Sequence, residues 1–108
     1  MIDWDRVAQL REEVGPEDFG EVVQLFLEEV DEVTERLATV AEAGRLSEDL
    51  HFLRGSALNL GFRDFGMMCQ EAERVAAAGG SPEVDPILRC FVASRQAFVT
   101  ELVRRSAA

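Results

Sequence analysis

A chain of 108 residues, 47% hydrophobic and 30% charged, is long enough to bury one core and too apolar to stay disordered, so a single domain over residues 1–108 is expected. Its formal net charge of −10 sets it against nucleic-acid phosphates and anionic membranes. No apolar run approaches the roughly 20 residues a bilayer needs, and Met1-Ile2-Asp3-Trp4-Asp5 lacks the basic and apolar segments of a signal peptide, so a cytoplasmic location is expected.

Ile2, Trp4, Val7, Leu10 and Val14 predict a short first helix, capped by Asp3 and closed near Gly15. Pro16, Glu17 and Asp18 then suit the first turn of a longer helix, because proline tolerates that position and acids favour the positive end of the helix dipole. Its apolar stripe runs Phe19, Val22 or Val23, Phe26, Val30, Val33, Leu37 and Val40 until Gly44, and Glu28, Glu29, Asp31, Glu32 and Glu35 form a solvated face. Ser47, with Glu48 and Asp49, reads as the cap of a third helix ending at Gly61. Phe65, Met68, Cys69, Ala72 and Val75 or Ala76 mark a fourth helix, stopped by Gly79-Gly80. Asp85 caps the last, with Pro86 in its first turn and a stripe of Ile87, Phe91, Ser94, Phe98 and Leu102. Nothing alternates with a period of two over any length. An all-α fold follows: an antiparallel up-down-up-down four-helix bundle with a short extra N-terminal helix.

The third helix holds the one histidine of the chain. Leu50, Leu53, Ala57 and Leu60 recur at spacings of three and four and must face the core. At about 100° per residue His51 lies well off that stripe and Gly55 lies almost opposite it, so the imidazole should face solvent. Arg54, three residues on, shares the surface around the ring. A glycine inside a helix costs roughly 0.5–1 kcal/mol relative to alanine, which asks for a reason other than stability. An accessible nucleophile, a neighbouring cation and a steric clearing suit phosphoryl transfer, whose catalysis is mostly positioning and electrostatics, and guanidinium geometry suits phosphate oxygens.

These residues resemble the histidine-containing phosphotransfer (HPt) domains of two-component phosphorelays. The pattern there is a histidine, a hydrophobic residue two on, Lys or Arg three on, Gly and usually Ser next, and a further Gly ten after the histidine; His51, Leu53, Arg54, Gly55, Ser56 and Gly61 fit it. Phe19, Phe26 and Leu37 before the motif, and Phe65, Cys69 and Glu73 after it, also stand where such domains carry similar residues. One departure is that Arg54 replaces the commoner lysine. The resemblance implies the same helical bundle and a phosphocarrier rather than an independent enzyme. His51 would accept a phosphoryl group from a receiver-domain aspartate and pass it to another. It further implies partners among response-regulator receiver domains and a sensor or hybrid histidine kinase, no cofactor in this chain, and Mg²⁺ on the receiver. A monomer suits a carrier that visits two proteins.

Around the ring, Gln70 and Glu73 lie on the next helix, where either can reach the imidazole and fix its tautomer. Leu58 and Phe62 are expected on the outward side with His51, as an apolar docking patch. Within the family the alternative is a stand-alone module phosphorylated directly by a kinase catalytic domain, as in chemotaxis kinases; outside it, a helical adaptor that carries no phosphate. The adaptor leaves Gly55 unexplained. Glu48 and His51 also make the Glu-x-x-His spacing of di-metal bundles, but these need the spacing on two helices with the ligands pointing inward, so no metal site is expected. Cys69 and Cys90 read as buried, reduced thiols.

Overall fold

The structure, a computed structural model, describes residues 1–39 and 43–107. The described residues form five helices: α1 (Trp4–Val14), α2 (Phe19–Thr39), α3 (Ala43–Leu60), α4 (Arg63–Ala77) and α5 (Asp85–Ala107). Among the described residues there is no strand, only an isolated bridge between Ile2 and Phe62. The four longer helices close a ring in which α3 packs on both α2 and α4, α4 on α5, and α5 back on α2; α1 lies across α2 and α3.

Local chemistry sets most helix ends. Asp3 caps α1 by accepting the Arg6 backbone N–H at 3.2 Å, and Gly15 closes it at φ +90°, its N–H donating to Arg11 O at 2.9 Å. Residues 16–18 form the turn that leads into α2, which starts at Phe19 rather than at Pro16. Two expectations fail at the start of α3. The helix begins at Ala43, so Gly44 and Ser47 stand inside it and neither terminates α2 nor caps α3. Leu46, one turn before Leu50, is partly buried against the core and extends the apolar stripe upstream; its packing outweighs the cap signal at Ser47. Val40, expected to extend the α2 stripe, lies outside the described residues.

The core forms as the stripes predict. Leu50, Leu53, Ala57 and Leu60 of α3 meet Val23, Val30, Val33 and Leu37 of α2, Phe65, Cys69 and Ala72 of α4, and Ile87, Phe91 and Phe98 of α5. Leu27 is buried with them although it stands outside the expected α2 stripe. At the α1 end Trp4 stacks on Phe98 with centroids 5.6 Å apart, and the Arg105 guanidinium sits 4.1 Å over the indole.

The α3–α4 connection consists of Gly61 and Phe62. Gly61 takes φ +89°, and a Cβ there would stand 2.8 Å from Asp3 O, so neither the backbone conformation nor the space admits a side chain. The close approach has a cause: Asp3 N–H donates to Gly61 O at 2.7 Å, and Arg6 Nε donates to Asn59 O at 3.0 Å. The start of α1 thereby fastens the turn joining the two helices that carry the site.

Candidate functional site

Burial of the α3 stripe turns the opposite face of that helix to solvent and sets His51 on it, with 66% of its side chain exposed. Its Nδ1 lies 3.0 Å from Glu73 Oε1 on α4 and 3.0 Å from Arg54 Nη2 on its own helix. One nitrogen cannot bond to both: toward the carboxylate it must donate, and toward the guanidinium it must accept. A bare lone pair facing a carboxylate at that distance is repulsive, so the proton belongs on Nδ1, which donates to Glu73 Oε1. In the neutral ring this leaves Nε2 as the nitrogen without a proton, its lone pair free to attack an electrophile. Arg54 Nε also faces Glu73 Oε2 at 3.4 Å, an ion pair without hydrogen-bond geometry, and Oε2 is buried with no hydrogen bond.

Gly55 is exposed, and a Cβ built there meets nothing within 4 Å. Among the described residues no helix crosses over this glycine, so tight packing does not account for it, and the space beside the imidazole is open. Replacing Gly55 with alanine should raise stability by a few tenths to about 1 kcal/mol, read from the urea midpoint, while slowing reaction with any protein that must seat against the helix. A variant that gained stability and reacted at an unchanged rate would show that the clearing has no use.

Of the residues expected around the ring, Glu73 meets it and Gln70, which is exposed, makes no hydrogen bond to it. Leu58 is 62% exposed, as expected of a docking residue. Phe62 is not. Only 1% of it is exposed, and its ring packs edge-on to Phe98 at 5.2 Å and beside Phe91 at 6.2 Å. The helical projection that placed Phe62 beside His51 stops applying at Gly61, where the backbone leaves the helix and turns the next side chain inward. Ser56 of the motif is buried.

Two exposed apolar residues near the site were not anticipated. Phe52 follows the histidine directly, and Met67, 62% exposed, lines with Arg54, Gln70 and Glu73 an open cleft of about 540 Å³ beside it. Met67 could have been found as the one large apolar residue of α4 off the Phe65–Cys69–Ala72 stripe. Leu58→Glu should therefore weaken reaction with a docked protein by about tenfold, the usual effect of losing one interface anchor. The same variant should react with a small phosphoryl donor as the parent does; equal losses with both donors would mean that Leu58 is no docking residue.

Behind the site the scaffold is held by charge pairs between helices. Arg36 of α2 grips the buried Asp49 of α3 through Nε at 3.2 Å and Nη2 at 2.5 Å, and this hydrogen bonding holds the guanidinium above its ordinary range. Asp49, expected as a first-turn acid, instead anchors α3 to α2 two residues from His51. Arg95 of α5 grips Asp31 of α2 in the same way at 3.1 and 3.0 Å, so Asp31 leaves the solvated acidic face. Cys69 and Cys90 are free thiols, the first buried and the second half-buried. Burial, then Cys90 and Glu73, push the Cys69 thiol up to about 12, so it is no nucleophile at neutral pH.

A family model described as Hpt domain matches residues 21–105, a span that includes the His51 helix, Glu73 and the whole ring of long helices except the first residues of α2 and the end of α5. No curated protein and no solved structure matches the chain.

Proposed function

The chain belongs to the Hpt domain family, whose members are phosphocarrier modules of two-component signalling, and from that premise we propose that His51 is its phosphoacceptor. Nε2 takes the phosphoryl group from a receiver-domain aspartyl phosphate and hands it to the aspartate of another receiver. The observation that carries this reading is the open space over Gly55 beside an exposed ring whose Nδ1 is occupied by Glu73. An incoming phosphorus can approach Nε2 in line, and the ring is already in the tautomer that leaves Nε2 as nucleophile.

Glu73 orients the ring and stabilises the positive charge it acquires as the nitrogen–phosphorus bond forms. Arg54 supplies hydrogen bonds to the phosphoryl oxygens. The chain brings no cofactor; Mg²⁺ and the acidic pocket come with the receiver, so the full reaction centre exists only in the docked pair. Phe52, Leu58 and Met67 form the apolar surface on which a receiver seats. The ring of contacts among α2, α3, α4 and α5, joined by short connections, supports reading the long helices as an antiparallel up-down-up-down bundle, with residues 1–108 as one HPt domain. As a cytoplasmic monomer it can present one face to successive partners. No helix of the described residues is long and apolar enough to cross a membrane.

The test is incubation with phosphorylated receivers on one hand and with histidine kinases plus ATP on the other, followed by mass analysis of the labelled residue. Label on His51 from receivers supports relay between aspartates, and label from a kinase alone makes the chain a direct kinase substrate. Label on any other residue defeats the assignment.

A further inference from the structure

Arg54 differs from the arginines that hold the scaffold. Arg36 and Arg95 each clamp a carboxylate with two hydrogen bonds. Arg54 has no such clamp: its Nε stands 3.4 Å from a Glu73 Oε2 that accepts no hydrogen bond, and its Nη2 faces a ring nitrogen already committed to Glu73 Oε1. Charge keeps it there, and a stronger anion within reach can take it. Phosphorylation of Nε2 creates one on the same ring.

Building on His51 as phosphoacceptor, we propose that Arg54 exchanges partners: it neutralises Glu73 while the ring is free and moves onto the phosphoryl oxygens once Nε2 is phosphorylated. Glu73, left uncompensated, then holds the proton on Nδ1 and keeps the phosphoryl group ready to leave. The chemistry gives that proton its importance. When the neutral ring attacks, the Nε2–P bond forms as the acyl phosphate P–O bond breaks, the carboxylate leaves with the electron pair, and the ring becomes positive with its proton still on Nδ1. In the reverse step, or in hydrolysis, the Nε2–P bond breaks and its electron pair returns to the ring, which departs as neutral imidazole. Had Nδ1 lost its proton, the ring would have to depart as imidazolate, a far poorer leaving group. Among the described residues, the charged groups that meet the ring are Arg54 from α3 and Glu73 from α4. Across the cleft Glu71 and Arg74 satisfy each other at 3.0 and 2.6 Å, and Glu48, one turn before His51, is exposed to solvent.

The experiment labels the whole chain with phosphoramidate, a small donor that needs no partner protein, and follows loss of phosphate from pH 5 to 9. Glu73→Gln keeps an oxygen to accept the Nδ1–H but removes the charge. At pH 8 its phosphohistidine should last about tenfold longer than the parent's, the effect of one opposite charge at this range, and the two should converge near pH 5 where solvent supplies the proton. Arg54→Gln should shorten the lifetime, because the phosphoryl oxygens carry more negative charge in the bonded group than in a loose, metaphosphate-like transition state, so a cation held on them without a partner protein favours the bonded state. It should still do so in the Glu73→Gln background if Arg54 sits on the phosphoryl group. Absence of label on the parent chain would overturn the phosphoacceptor reading itself. Label with an unchanged Glu73→Gln lifetime at pH 8 would overturn the role of Glu73, and an Arg54→Gln effect that vanishes in the Glu73→Gln background would overturn the exchange.

Discussion

Replacement of His51 by glutamine should abolish uptake of acid-labile phosphate from every donor while leaving the fold intact. Both halves of that outcome follow from the position of the ring. Two-thirds of the side chain is in solvent, and its contacts to Glu73 and Arg54 lie at the surface, so the substitution should change stability by no more than about 0.5 kcal/mol. Far-UV circular dichroism and the urea midpoint read that part. The loss of function should be complete because the chain has a single histidine and its buried cysteine is held as a thiol. Radiolabel that survived alkali but not acid on the His51→Gln chain would place the acceptor elsewhere and leave the Gly55 clearing without a purpose.

Phe62→Ala should do the reverse, costing the fold far more than the chemistry. The ring is all but sealed from water and contacts both Phe91 and Phe98 of α5, so truncation removes buried area and leaves a cavity where α4 meets α5. Such changes cost about 3–5 kcal/mol, a large part of the roughly 5–15 kcal/mol by which domains of this size are stable. Chemical denaturation should show the midpoint falling steeply. Phosphoryl transfer measured well below that midpoint should keep its rate, since Phe62 offers no surface to a partner. An unchanged midpoint with weakened docking would restore Phe62 to the surface and require a different turn at Gly61.

Much of this molecule could be read before any coordinates, and the exceptions share a cause. Asp3 as a cap, Gly15 as a stop, the buried Leu50–Leu53–Ala57–Leu60 stripe and the outward His51 each depend on neighbours within a turn or two along the chain. Helical periodicity and capping chemistry are local, and they were sufficient there. The start of α3 departs from the cap signal because Leu46 gains more from the core than Ser47 gains from capping, and the worth of that packing depends on residues elsewhere in the chain. Phe62 departs from helical periodicity because the helix ends at Gly61, whose positive φ turns the next side chain inward. Gln70 and Glu73 could not be separated in sequence, being three apart on one helix face; the choice between them rests on how α4 is rotated against α3. Asp31 looked like one more solvated acid, and only the approach of α5 gives it Arg95.

The helices α3 and α4 approach closely where Gly66 faces Ala57, since a Cβ on Gly66 would stand 3.3 Å from the Ala57 Cβ. From there the two helices run back toward Glu73 and His51, which lie a similar number of residues away along each. That close approach works as a spacer: it helps set the gap that Glu73 spans to bring Oε1 within 3.0 Å of His51 Nδ1. A bulkier residue at position 66 would wedge the helices apart and detune the imidazole from more than a helical turn away, with both reactive side chains intact. Drift at this position would therefore silence the site while every residue of the phosphoacceptor motif still read as correct.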